Sequence, residues 1–142
     1  MKTFLRSLIL LCAAIATIHA SDSWNTNYQD ALAQASKENK KVLLDFTGSD
    51  WCAWCQRIQK EIFSKQEFKT YAAKNLVLVE IDFPQTKIQS ATTKKQNEEL
   101  QSRYHVQGFP TLVLLTPKGK VLKQSSGYIE GGPKGFIKWA KE

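Results

Sequence analysis

Apolar positions along the chain switch between two spacings, and each change marks an element. Tyr28, Ala31, Leu32 and Ala35 recur at i, i+3, i+4 and i+7 from Trp24 onward, which lays one stripe along a helix. Asn25 or Thr26 offers its cap, and it should end near Asn39. Val42 to Phe46 is apolar everywhere except Asp45, the pattern of a central strand covered on both faces. Ile58 and Ile62 then mark the buried side of a helix over Gln56 to Phe63, with Arg57, Lys60 and Glu61 on its wet side. Ser64-Lys65-Gln66-Glu67 has the form of a capping box restarting a helix ahead of Phe68, Tyr71 and Ala72, closed by Asn75. Leu76 to Asp82 is a second β-rich run, and strand, helix, strand in this order predicts a parallel crossover pair.

The second half is more polar. After a turn-like stretch from Pro84 to Thr92, Thr93 with Gln96 could cap a helix that carries Leu100 and ends near Arg103 or Tyr104. Runs over Thr111 to Thr116 and Val121 to Ser125 flank Pro117-Lys118-Gly119-Lys120 and predict a hairpin. Gly131-Gly132-Pro133 opens a last helix with Phe136, Ile137 and Ala140 inward, proline being well suited to a first turn. The expected class is α/β, a central mixed β-sheet flanked by helices.

Residues 1–20 stand outside this pattern. Lys2 and Arg6 precede a nearly unbroken apolar run from Leu8 to Ile18, and Ala20 offers a small residue before Ser21-Asp22-Ser23, the form of a cleaved secretory signal peptide. A membrane anchor would need about 20 apolar residues, more than lie between Arg6 and His19. Residues 21–142 then form one domain, enough for a genuine core and too few for two. Lys2 and Arg6 account for two of the formal net charge of +7. The other basic residues are scattered and form no aromatic-basic stripe, so a solvated surface is expected rather than a nucleic-acid interface.

Cysteine usage narrows the chemistry. Cys12 leaves with the signal peptide, and the mature chain keeps Cys52 and Cys55 in a compartment that permits disulfides. A loop this short gains little stability from a crosslink, so the pair points to exchange rather than stapling. Zinc would need roughly four ligands, and His105 is the one histidine left to join the cysteines. Covalent haem would need histidine where Gln56 stands. No metal or other cofactor is expected.

The cysteines fall where the Val42 to Phe46 strand gives way to a helix. There the first sulfur meets unpaired N–H groups and the positive end of the helix dipole, which favour the thiolate. Cys52 is the expected exposed nucleophile, with Cys55, one turn inside, resolving the mixed disulfide. Asp45 on the strand beneath should have a raised pKa, as a carboxylate in an apolar setting does. It could take or give the Cys55 proton, or be a hydrogen-bonded structural carboxylate. Trp51 and Trp54 read as rim aromatics offering apolar contact to a flexible substrate, although Trp51 reads equally as fold packing.

The order of elements resembles the thioredoxin fold over essentially the whole mature chain. "LLDFTGSDWCAWC" is similar to the aspartate-bearing strand and W-C-x-x-C of thioredoxins, and "VQGFPTLVLL" looks like their cis-proline loop. "YQDALAQASKENKKVLLDF" further resembles an exported branch of that family, periplasmic thiol-disulfide oxidoreductases. The resemblance implies a cis bond before Pro110, with backbone near Phe109 beside Cys52 for an extended substrate to pair with. It also marks departures. Six residues, Phe46 to Trp51, separate Asp45 from Cys52, one more than in typical thioredoxins. Leu78 stands where a lysine often faces the buried aspartate, and the segment from Asp82 to Tyr104 is longer than usual.

The expected function is therefore a protein-disulfide reductase. Ala53 and Trp54 supply no charge to over-stabilise the Cys52 thiolate, and Asp50 opposes it if ionised. Protein disulfides would be its substrates, a membrane electron donor would recharge it, and it should act as a monomer in a bacterial periplasm, since the chain ends without a K-D-E-L-like signal. An oxidant or isomerase, and a partner-binding module whose cysteines only regulate it, are the competing readings.

Overall fold

The structure, a computed structural model, describes residues 24–142. The expected signal peptide, with Cys12, lies outside the described residues.

Four strands form one mixed sheet in the order β2-β1-β3-β4, from β1 (Lys41–Thr47), β2 (Leu76–Asp82), β3 (Thr111–Leu115) and β4 (Val121–Ser126). The first two are parallel, with Lys41 opposite Leu76 and Thr47 opposite Asp82. The predicted hairpin is present as the antiparallel pair β3 and β4, and β3 runs antiparallel to β1 on its other side. From Val42 to Thr47 every residue of β1 is buried, as its apolar run requires of a strand covered on both faces.

Strand alternation sorts the core into two halves. Val42, Leu44, Phe46, Val77, Val79 and Ile81 pack with α1 (Tyr28–Glu38) and α4 (Ala91–Arg103). On the other face, Leu43, Leu76, Leu78, Leu112 and Leu114 meet α2 (Ala53–Ile58), α3 (Gln66–Asn75) and α5 (Gly132–Lys141) through Ile58, Phe68 and Phe136. One π-helical turn, Gln59–Phe63, continues α2, with the Ser64 N–H donating to the Gln59 carbonyl at 2.9 Å. Widening the helix there allows Ile58, Ile62 and Phe63 all to be buried.

Three predicted caps are not used, and in each case another contact engages the predicted residue. Asn27 caps α1, its Oδ1 accepting from the Gln29 and Asp30 N–H groups. Asn25 instead bridges the edge of β2, donating to Leu78 and accepting from the Glu80 N–H. The expected capping box at Ser64 does not form, because its hydroxyl donates back to the Lys60 carbonyl at 2.7 Å and α3 starts from Lys65. Ser90, not Thr93, caps α4, accepting from the Thr93 N–H. Gln96 is thereby freed to bind the start of α1, accepting from the Tyr28 N–H and donating to the Thr26 carbonyl. The helix after the cysteines starts at Ala53, one turn earlier than its apolar spacing suggested.

Candidate active site

The end of β1 delivers the site. After Thr47 the chain turns tightly, with the Cys52 N–H donating to the Gly48 carbonyl at 2.8 Å, and Cys52 becomes the cap of α2. Its sulfur accepts from the Cys55 N–H at 3.2 Å, the helix-start contact that favours a thiolate at this atom. Cys52 and Cys55 are joined as a disulfide, their Cα atoms 5.2 Å apart. Both are nearly covered, Cys52 at 7% exposure and Cys55 at 3%. The expected exposed sulfur is thus the more accessible of the pair only by a small margin in this disulfide form.

Beneath them lies Asp45. Leu43 and Asp45 share the face of β1 that carries Ile58, and Cys55 is one helical turn before Ile58, which puts Cys55 and Asp45 on the same side of the sheet. Asp45 is buried and its Oδ1 has no hydrogen-bond partner. Burial first, then the charges of Glu80 and Asp82, push its carboxyl up to about 8, the direction its apolar setting predicts. Sequence reasoning missed both of these neighbours. Glu80 lies directly opposite Asp45 in the parallel register, and Asp82 lies at the end of the same face, where the Ser49 N–H and hydroxyl donate to it at 2.9 and 2.6 Å.

Aromatic walls flank the disulfide. On one side the Trp51 indole donates to the Phe83 carbonyl at 2.8 Å and meets the Phe109 ring edge-on at 5.9 Å, while Phe83 stacks on Phe109 at 5.0 Å. Trp51 is 43% exposed, so both readings of it, rim contact and packing, describe part of its surface. The Phe109–Pro110 peptide is cis, Pro110 is buried, and its carbonyl accepts from the Gly127 N–H at 2.8 Å. On the other side Trp54, 53% exposed, leans on Tyr128 at 6.0 Å. The Arg57 guanidinium lies over both rings, 5.0 Å from one and 4.8 Å from the other, and pairs with Glu61 at 3.1 Å. Tyr128 donates to Glu61 at 2.6 Å, which lowers the Glu61 pKa and raises that of Tyr128.

Asp50 sits on the rim. It accepts from the Thr86 hydroxyl at 2.6 Å and from the Gln85, Thr86 and Lys87 N–H groups at 2.7 to 3.1 Å. These donors, the Thr86 hydroxyl foremost, hold its carboxyl well below the usual carboxylate range. The stretch after β2 is thus clasped to the loop before Cys52.

A redox-active pair at the start of a helix, a buried carboxylate beneath it and a cis-proline loop beside it define the class, and the chain belongs to the thioredoxin-like family, whose domain model matches residues 28–141. It is a thiol-disulfide oxidoreductase of the DsbH and DsbD type. The chain is similar to the disulfide bond reductase DsbH of Chlamydia pneumoniae, 38% identical over 122 residues that cover 86% of this chain and 72% of the relative. A solved DsbH oxidoreductase superposes with a TM-score of 0.77 at 38% identity, covering 84% of this chain and 81% of the other. The thiol:disulfide interchange protein DsbD of Actinobacillus pleuropneumoniae is 29% identical over 109 residues, 75% of this chain but 17% of that longer protein. Among the described residues no helix is long and apolar enough to cross a membrane.

Proposed function

We propose that this protein reduces protein disulfides in the periplasm, cycling Cys52 and Cys55 between dithiol and disulfide. The Cys52 thiolate attacks one sulfur of the substrate disulfide, and the other sulfur leaves as a thiolate that takes a proton. Asp45 then accepts the Cys55 proton, Cys55 attacks Cys52, and the second substrate sulfur is released. The substrate gains two electrons from the cysteine pair and two protons, one from Cys55 by way of Asp45 and one from solvent. Trp51, Trp54 and Phe109 give an extended segment apolar walls, and the backbone around Phe109 and Pro110 gives it an edge to pair with.

The reductive direction rests on one observation above the rest: the charge nearest in sequence to Cys52 is negative and held ionised. Four hydrogen bonds keep Asp50 a carboxylate two residues before Cys52, which disfavours the thiolate. Arg57, the nearest cation in sequence, is matched by Glu61 and covered by two rings. A strong oxidant over-stabilises its thiolate, and this site lacks the means. The chlamydial relative is named a disulfide bond reductase, which supports the same direction. A reductant in an oxidising compartment must be recharged, so a membrane electron donor completes the cycle.

Equilibration of the Cys52–Cys55 pair against thioredoxin of known potential tests this reading. We expect a value near thioredoxin's, about −270 mV, whereas one near the roughly −120 mV of a dedicated oxidant overturns it.

A further inference from the structure

Asp45 as the proton acceptor for Cys55 leaves its acidic surroundings without a role. Residues two apart on a strand share a face, so Glu80 and Asp82 point to the same side as Leu76 and Leu78, where α2 packs. The parallel register sets Glu80 opposite Asp45, and adjacent strands lie about 4.8 Å apart, so the two side chains are immediate neighbours. On its other flank Asp45 lies opposite Leu112 of β3. The charges bearing on Asp45 are those of Glu80 and Asp82, both negative. Asp82 is already engaged by Ser49, whose hydroxyl also accepts from Lys87 at 3.0 Å. Glu80 is half-buried, and burial first, then the charge of Asp82, raise its carboxyl against the pull of Lys87.

We propose that Glu80 is a positioning residue for the resolving step: from across the β1 and β2 register, its carboxylate keeps the proton on Asp45 and so governs when Cys55 can be deprotonated. This rests on the reading of Asp45 as the base for Cys55. As a carboxylate, Glu80 opposes a second charge on the unpartnered Asp45 across the register. While Asp45 holds its proton it cannot take the one on Cys55, and resolution waits. In the opposite step the same proton is useful. When a donor thiolate opens the disulfide at Cys52, the bond between the sulfurs breaks, and Cys55 leaves as a buried thiolate. Asp45 then gives that thiolate its proton, while the donor's second thiol supplies the remaining electrons for release. Glu80 therefore biases the site toward recharging at neutral pH and toward substrate reduction as the pH rises.

The test follows the two releases of 5-thio-2-nitrobenzoate when the reduced protein meets the corresponding aromatic disulfide, the second release reporting attack by Cys55 on the mixed disulfide. In the wild type its rate should fall on the acid side with a midpoint set by Asp45. Glu80→Gln should move that limb about one pH unit lower, a rate about tenfold higher well below the midpoint, and Glu80→Asp should leave it near the wild type. Glu80→Thr, a good strand former, carries the same test if the Gln variant does not fold. In an Asp45→Asn background the shift should vanish. A limb unmoved by Glu80→Gln, or a shift that survives Asp45→Asn, overturns the role of Glu80. If Asp45→Asn alone retains the wild-type limb, Asp45 is not the base, and the reading beneath this inference fails first.

Discussion

The floor and the rim of the site hold their carboxylates in opposite ways. Asp45, under the cysteines, is buried with an unpaired oxygen and two acidic neighbours, and its carboxyl is pushed up to about 8. Asp50, in the loop ahead of Cys52, is half-buried, takes four hydrogen bonds and is held ionised. The same residue type thus does two jobs. A carboxyl near the operating pH can exchange a proton in a reaction, whereas one fixed far below it serves as a stable acceptor that ties one loop to another. Exchange needs the first, and a firmly shaped rim needs the second.

Exchanging each acid for its amide should separate the two roles, and the largest effect belongs to the floor. If Asp45 accepts the Cys55 proton as proposed, Asp45→Asn should slow resolution about 100-fold at pH 8, with the first attack by Cys52 little changed. Asp50→Asn should leave resolution within about twofold. Rapid-mixing kinetics on both variants checks this, and equal slowing would erase the distinction.

Stability should carry the same contrast in its slope with pH. The folded pKa of Asp45 lies above its unfolded value near 4, so its favourable contribution is complete below pH 4 and is lost as the pH rises through about 8. Asp45→Asn should therefore match the wild type near pH 4 and exceed it by about 5 kcal/mol at pH 9. For Asp50 the folded pKa is depressed, so its contribution is present above pH 4 and fades as the pH falls. Asp50→Asn should be the less stable protein at pH 7 and lose that deficit in acid. Denaturant unfolding of the disulfide form at three pH values reads both slopes.

Why this contrast was only half visible in the sequence is a matter of register. Strands were legible because unbroken apolar runs have few alternatives, and Leu76 to Asp82 begins and ends where its pattern says. Cys52, Cys55 and Asp45 were legible because one strand and the following turn place all three. Glu80 was not, since its meaning depends on pairing between strands that a helix separates. Tyr128 and Arg57 meet only when the turn after β4 folds back onto α2. The caps were misplaced for a related reason. Asn25, Ser64 and Thr93 are all capable of capping, but a strand-edge contact engages Asn25 and local hydrogen bonds engage the other two, so Asn27 and Ser90 cap α1 and α4 while α3 starts at Lys65 without a side-chain cap.

The smallest effect concerns the rim wall. A Cβ on Gly48 would collide with the Trp51 indole, so Gly48→Ala must displace that ring from the Phe83 carbonyl. We expect KM for a protein disulfide to rise about threefold, with kcat nearly unchanged, because the change touches substrate contact and leaves the floor intact. An equal fall in kcat would mean that Trp51 also supports the chemistry.

The charge state of the floor can be read directly. Carboxyl carbon NMR of the disulfide form, titrated from pH 2 to pH 10, reports Asp45 and Asp50 in one experiment. We predict a midpoint near 8 for Asp45, with Asp50 still ionised where free aspartates have begun to protonate. An Asp45 midpoint near 4 would mean that it is ionised throughout the neutral range, and would contradict the account of how Cys55 gains and loses its proton.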